Sequence, residues 1–190
     1  MIIYRYIVRL LLMRGERNIR ILDLRPPSDT SLRSHPNVTF TRTDITDINS
    51  VREALTAPFP FTSKPPSVIF HAASIIRFWE RLSYSWPITY DVNIRGTENV
   101  LDVAANDLGD TIIVYTSTAD VSIPNPRFMR LWFDYLTKPW DKVTISDDDE
   151  PLRAFEASES NYTKSKIMAE RLVLNANGKN GLRTGVLRPG

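Results

Sequence analysis

Ser67-Val68-Ile69-Phe70-His71-Ala72-Ala73 is a short apolar run that stops in two small residues. Thr111-Ile112-Ile113-Val114-Tyr115-Thr116-Ser117-Thr118 repeats the design, with hydroxyls at its end. Neither run alternates apolar with polar, so each predicts a strand covered on both faces, the signature of a parallel sheet. Residues 88–107 between them have helical character, which supplies the crossover that parallel neighbours need.

Working outward, Asn18-Ile19-Arg20-Ile21-Leu22-Asp23-Leu24 alternates as a strand and closes on Pro26-Pro27. Val38-Thr39-Phe40-Thr41-Arg42 reads as another strand, and Gly181-Leu182-Arg183-Thr184-Gly185-Val186-Leu187 as the last. Helices are expected at 2–14, with Ile3, Ile7, Leu10 and Leu11 on one face and Gly15 as the stop. Two more are expected at 48–57, capped by Asp47 or Asn49, and at 161–176. Strands alternating with helices give an α/β fold, a doubly wound parallel sheet with right-handed crossovers. Such sheets bind ligands at the carboxyl ends of their strands.

The 190 residues suffice for one domain with a core. Hydrophobic content of 42% and charged content of 24% are ordinary for a globular chain, and a net charge of +2 gives no pull toward nucleic acid. Zero cysteines exclude disulfides and thiol catalysis. No apolar run reaches the ~18 residues of a transmembrane span. With only His35 and His71 and no ligand spacing, no metal site is expected.

The chemistry is sharpest in Asn161-Tyr162-Thr163-Lys164-Ser165-Lys166. Four residues of separation place the Tyr162 phenol and the Lys166 ammonium one helical turn apart on one face. A nearby cation is expected to lower the phenol's pKa from about 10, which suits Tyr162 to proton transfer with an alcohol or carbonyl. Thr118 could bond the substrate oxygen beside Tyr162, with Ser117 as the competing hydroxyl. Asn93, in Asp91-Val92-Asn93-Ile94-Arg95, is unfavourable inside a helix by propensity and could hold a water behind the lysine.

The strand ends supply the rest of the candidate site. Asp23 could accept the hydroxyls of an adenosine ribose, whereas Arg25 could hold a 2′-phosphate there. Asp44 suits an adenine amine, with Ile45 against the ring. His71, Ala72 and Ala73 close one strand; the alanines allow close backbone approach, and His71 is expected to be a hydrogen-bonded structural residue. Thr116 and Pro189 end two others. The stretch 119–159 reads as an irregular lid or substrate loop. Phe128, Met129, Leu131, Trp132, Phe133, Tyr135, Leu136 and Trp140 either line a pocket for a flat apolar ligand there or pack on the core.

Ile21-Leu22-Asp23-Leu24-Arg25, Asp44-Ile45-Thr46-Asp47, Val68-Ile69-Phe70-His71-Ala72-Ala73, Asn93-Ile94-Arg95-Gly96-Thr97-Glu98-Asn99-Val100, Tyr115-Thr116-Ser117-Thr118, Tyr162-Thr163-Lys164-Ser165-Lys166 and Leu187-Arg188-Pro189 occur in one order. Together they resemble the extended short-chain dehydrogenase/reductase superfamily. Within it they are most similar to the 3β-hydroxysteroid dehydrogenase/isomerase family, including sterol-4α-carboxylate 3-dehydrogenases. The resemblance implies a Rossmann-type NAD(P)-binding domain with a Thr118–Tyr162–Lys166 triad, Thr118 standing where serine is usual. It implies NAD as cofactor, NADP as the alternative, and a 3β-hydroxysterol as the small-molecule substrate. It also implies a homodimer and a cytoplasmic location, or peripheral attachment at the endoplasmic reticulum membrane.

Two departures from the family pattern stand out. The family opens with a strand and a Gly-x-x-Gly-x-x-Gly loop that holds pyrophosphate. Here Met1 and Tyr4 fall at the last two glycine positions, and Tyr4 is expected to crowd the phosphates. The sequence therefore reads as a single incomplete domain over 1–190, with the first strand, the glycine loop and the C-terminal substrate region missing. A sugar epimerase or flavonoid-type reductase shares the same motifs. A non-catalytic interaction protein is favoured by the missing loop.

Overall fold

The computed structural model describes residues 3–76, 83–122 and 160–189. In chain order they form α1 (Ile3–Met13), β1 (Ile19–Asp23), α2 (Thr30–Arg33), β2 (Val38–Arg42), α3 (Ile48–Thr56) and β3 (Val68–His71). Then come α4 (Trp86–Tyr90), α5 (Gly96–Val103), β4 (Ile112–Thr116), α6 (Asn161–Ala176) and β5 (Arg183–Leu187). The expected regular helix over 88–107 is instead interrupted by π-turns at Asp91–Arg95 and Ala104–Leu108. The short α2 has no counterpart in the sequence reading, and α4 starts two residues before the expected 88–107 helix. The expected lid begins with a 3₁₀ turn at Ala119–Ser122. Its aromatic and apolar residues from Phe128 to Trp140 lie outside the described residues.

Every strand pair is parallel. β1 pairs with β2, and β3-β4-β5 form a second sheet. Set side by side, β2-β1 and β3-β4-β5 follow the 3-2-1-4-5-6 order of a doubly wound fold, short of the strand that would stand between β1 and β3.

Local chemistry sets the element ends. Gly15, at φ +82°, ends α1, with its N–H bonded to Leu12 O and that of Glu16 to Leu11 O. Asp47, not Asn49, caps α3 by accepting from Asn49 N at 2.9 Å. Asp29 caps α2 and pairs with Arg9 of α1 at 2.8 Å.

Two apolar clusters hold the elements together. Val8 packs with Ile19, Ile21, Leu32 and Val38, and Tyr4, Leu11 and Leu12 close over them. The expected α1 face is therefore corrected: Ile3 and Leu10 are exposed, Leu10 by 58%. Arg5 and Arg9 bond Ser28 and Asp29 instead of marking the face farthest from the core, and docking on β1–β2 turns Val8, Tyr4, Leu11 and Leu12 inward. The larger cluster joins Val51 and Leu55 of α3, Val100 and Val103 of α5, Ile113 and Tyr115 of β4, and Ala169 and Val173 of α6. It covers one face of β3-β4-β5. On the opposite face Val68 and Phe70 remain 41% and 40% exposed, and Leu187 is also exposed. The double-sided burial expected of β3 is thus one-sided. No helix among the described residues is long and apolar enough to cross a membrane.

Gly96 lets α5 close on Ile45: a Cβ there would meet Ile45 Cγ2 at 2.9 Å and Cγ1 at 3.0 Å. Gly96→Ala is expected to cost ~1–3 kcal/mol by overpacking. Denaturant midpoints check this, and pairing it with Ile45→Ala should recover much of the loss. A Gly96→Ala midpoint equal to wild type contradicts the close contact.

Candidate active site

Helix α6 carries Tyr162, Lys166 and Glu170 at four-residue steps, one face of three successive turns. Lys166 is buried and donates from Nζ to Thr116 O at 2.8 Å. Its ammonium stands 4.7 Å from the Tyr115 ring centroid and 5.9 Å from that of Tyr162. Burial pulls Lys166 down to about 8, opposed by the Glu170 carboxylate. Half-buried Tyr162 moves the other way from the expected lowering. Desolvation first, then the Asp120 charge, raise its phenol above 10.0. The physical reason is burial, which disfavours the phenolate, with the Asp120 carboxylate adding like charge.

The segment after β4 supplies hydroxyls. Thr116 and Ser117 are buried and Thr118 is half-buried. Ser117 Oγ donates to Glu170 Oε2 at 2.5 Å, whereas Thr118 Oγ1 accepts from Asp120 N at 3.3 Å. β5 continues the frame: Ser117 N bonds Leu187 O at 2.7 Å and Ala119 N bonds Pro189 O at 3.0 Å.

Asn93 sits buried in the first π-turn. Its Oδ1 accepts from Ile75 N at 2.8 Å, and its Nδ2 donates to Ile75 O at 3.1 Å and to Ser165 Oγ at 2.8 Å. Ser165 in turn donates to Tyr162 O at 2.7 Å. The amide therefore ties the loop after β3 to the helix that carries Tyr162 and Lys166.

His71 is buried, with Nε2 2.9 Å from Thr97 Oγ1. Thr97 already donates its proton to Asn93 O at 2.7 Å, so the assigned tautomer carries its hydrogen on Nε2. Burial, then the Lys166 charge, push His71 down to about 3. A depressed folded-state value gives stability that is full above about 6.5 and is lost as pH falls toward 3. The loss attributable to this group is on the order of 4 kcal/mol. Urea midpoints from pH 7 to 3 should fall more steeply for wild type than for His71→Gln; equal slopes contradict this.

The match to the description "3-beta hydroxysteroid dehydrogenase/isomerase family" runs over residues 2–190. The chain belongs to that family. It is 32% identical to rat 3 beta-hydroxysteroid dehydrogenase type 7 over 185 residues, 95% of this chain and 47% of the relative. It is 30% identical to a 3 beta-hydroxysteroid dehydrogenase/Delta 5→4-isomerase of Mycobacterium tuberculosis, covering 96% of this chain and 42% of that one. The chain thus spans about half the length of the relatives it matches. Among solved structures it resembles a dTDP-glucose 4,6-dehydratase double mutant of Streptomyces venezuelae, crystallised with NAD and DAU. There the TM-score is 0.67, at 17% identity, over 97% of this chain and 51% of the other. Pen from Bacillus thuringiensis aligns with a TM-score of 0.65 at 18% identity, over 97% of this chain and 46% of the other. These likenesses show the doubly wound fold.

For a member of this family the remaining candidate residues fall as follows. Asp23 is exposed at the end of β1 and accepts from Arg25 N at 3.2 Å; Arg25 is exposed beside it. Asp44 Oδ1 accepts from Thr46 N at 2.9 Å and Thr46 Oγ1 at 2.7 Å, and these bonds hold its carboxyl low. Ile45 is half-buried against Gly96, and its carbonyl accepts from Asn99 at 2.9 Å. Ala72 is buried, while Ala73 and Pro189 are exposed. Tyr4, expected to crowd a phosphate site, packs instead into the Val8–Ile19 cluster.

Sequence reasoning missed Glu170, Asp120 and Ser165 as parts of the site, and placed Arg188 at a strand end without its partner. Glu170 was legible as the third member of the Tyr162–Lys166 spacing. Arg188 joins it only through folding, by donating from Nη2 and Nε to Glu170 Oε1 at 2.5 and 3.1 Å.

Proposed function

We propose that the whole protein of which this chain forms the dinucleotide-binding part oxidises a 3β-hydroxyl of a sterol to a ketone with NAD or NADP. The observation that supports it most is the Lys166 ammonium, buried beneath Tyr162 and anchored on Thr116 O, two residues before the Thr118 hydroxyl. NAD or NADP, when bound, accepts the hydride released from the carbinol carbon.

The exposed Asp23 carboxylate and the small Ala72 and Ala73 suit the ribose and nicotinamide parts of such a group. Arg25 suits a 2′-phosphate. Tyr162 takes the hydroxyl proton as its general base. Thr118 orients the alcohol; Ser117 is less suited because its hydroxyl is spent on Glu170. Lys166 holds a positive charge beneath the phenol and favours its ionised form. Asn93 fixes the backbone around Ile75 and Ser165, on which any water relay would depend. A soluble homodimer and peripheral membrane attachment remain within the proposal.

A substrate panel tests the reading. 3β-hydroxysterols, nucleotide sugars and flavonoid-type alcohols are offered to the full-length protein with NAD or NADP, and reduced nicotinamide is followed. Turnover confined to nucleotide sugars would overturn the sterol assignment.

Burial first, and then the Asp120 charge, hold the Tyr162 phenol up, so kcat/KM for alcohol oxidation should climb as pH rises. Asp120→Asn removes that charge and is expected to move this limb to lower pH. A limb unmoved, or moved upward, contradicts the assignment of Tyr162 as the titrating base.

A further inference from the structure

Glu170 has no role in the chemistry above, yet it is wholly buried one turn beyond Lys166. Two residues from distant parts of the chain converge on its carboxylate. Ser117 Oγ donates to Oε2 at 2.5 Å from the end of β4. Arg188 Nη2 and Nε donate to Oε1 at 2.5 and 3.1 Å from just beyond β5. Arg188 Nη1 also donates to Ser122 Oγ at 3.3 Å, at the far end of the turn that follows Thr118. Both carboxylate oxygens are thus engaged in charge-assisted bonds, as a buried charge requires. Ser117 and Ser122 bracket Thr118, and Ser117 adjoins the Thr116 carbonyl that receives Lys166.

Resting on the dehydrogenase reading, we propose that Glu170 is a positioning residue. Clamped by Arg188 and Ser117, it holds the Thr116–Ser122 segment against α6 and so keeps the Thr118 hydroxyl in register with Tyr162 and Lys166. The helix face and the strand end come from segments about fifty residues apart, and the Ser117–Glu170 bond joins them beside the Lys166–Thr116 bond. The groups facing Lys166 are the Thr116 carbonyl, the Tyr115 and Tyr162 rings, His71 and Glu170. A change at the clamp should therefore register at the lysine.

Glu170→Gln keeps the shape and removes the charge; Ser117→Ala removes a single bond and is the gentler variant should the first fold poorly. Two readouts are taken on the full-length protein. The first is the titration midpoint of Lys166, followed by NMR of ¹³Cε-labelled lysine and assigned by its loss in Lys166→Met. Glu170→Gln should move it downward. The second is turnover per folded molecule. Both variants should lose about ten- to a hundredfold in kcat, with KM changed less than about twofold. The double variant should lose no more than Glu170→Gln alone, since the residues act as one unit. A merely structural pair would lower the melting temperature and leave the Lys166 midpoint and kcat per folded molecule unchanged, and that result overturns the inference. If wild type turns over no alcohol, the dehydrogenase reading fails. The Lys166 midpoint still decides the clamp: a downward shift in Glu170→Gln upholds its coupling to the lysine, and an unmoved midpoint ends it.

Discussion

Tyr162→Phe is expected to lose at least ~10²–10⁴-fold in kcat for 3β-hydroxysterol oxidation, the usual worth of a general acid–base group. The measurement is made on the full-length protein. Phenylalanine keeps the ring that lies over Lys166 and removes only the hydroxyl, so proton transfer is tested rather than packing. Lys166→Ala should lose activity as well and weaken cofactor binding, because the ammonium serves both. The hydroxyl beside them is tested by a pair of variants. Thr118→Ser should be mild and Thr118→Val severe. Ser117→Ala acts through Glu170 and should leave substrate KM nearly unchanged. Near-normal turnover in Tyr162→Phe means that the four-residue spacing arose by chance.

The second large effect is on cofactor affinity and cooperativity. The 190-residue polypeptide is expected to show negligible NAD binding by calorimetry and a broad, weakly cooperative melt. Two observations motivate this. The pyrophosphate donors of a glycine loop are replaced by Tyr4, whose ring belongs to the α1 core. β1 and β3 each have a free edge in a separate small sheet, an aggregation hazard, with Val68 and Phe70 part-exposed on β3. Burying those two side chains is worth about 1 kcal/mol each, before any gain from ladder hydrogen bonds. An N-terminal extension carrying an apolar strand and Gly-x-x-Gly-x-x-Gly should sharpen the melt and bring NAD affinity into the micromolar range. Micromolar affinity in the unextended polypeptide, or a sharp two-state melt from soluble monomer, contradicts the prediction.

Much of the architecture is legible in residue order. β2 spans the five residues read as a strand, and α6 spans the 161–176 read as a helix. Asp47 and Gly15 terminate helices by side-chain and backbone chemistry that depends on no distant contact. Tyr162 and Lys166 are on one face because helical geometry puts them there. All of this is local, with a period, a cap or a spacing carried within a few residues.

Tertiary structure decided what distance in sequence conceals. The inner face of α1 follows from docking on β1–β2, because Arg5 and Arg9 find partners in Ser28 and Asp29 and so do not mark the outer face. The Tyr162 phenol rises rather than falls because folding takes it partly out of water, while Asp120 adds its charge. His71 is neutral because folding removes it from water beside Thr97 and Lys166. Glu170 and Arg188 look like an ordinary surface acid and base in the sequence. They became a buried pair only when β5 was laid beside β4 under α6, where the loss of solvation makes each charge require the other.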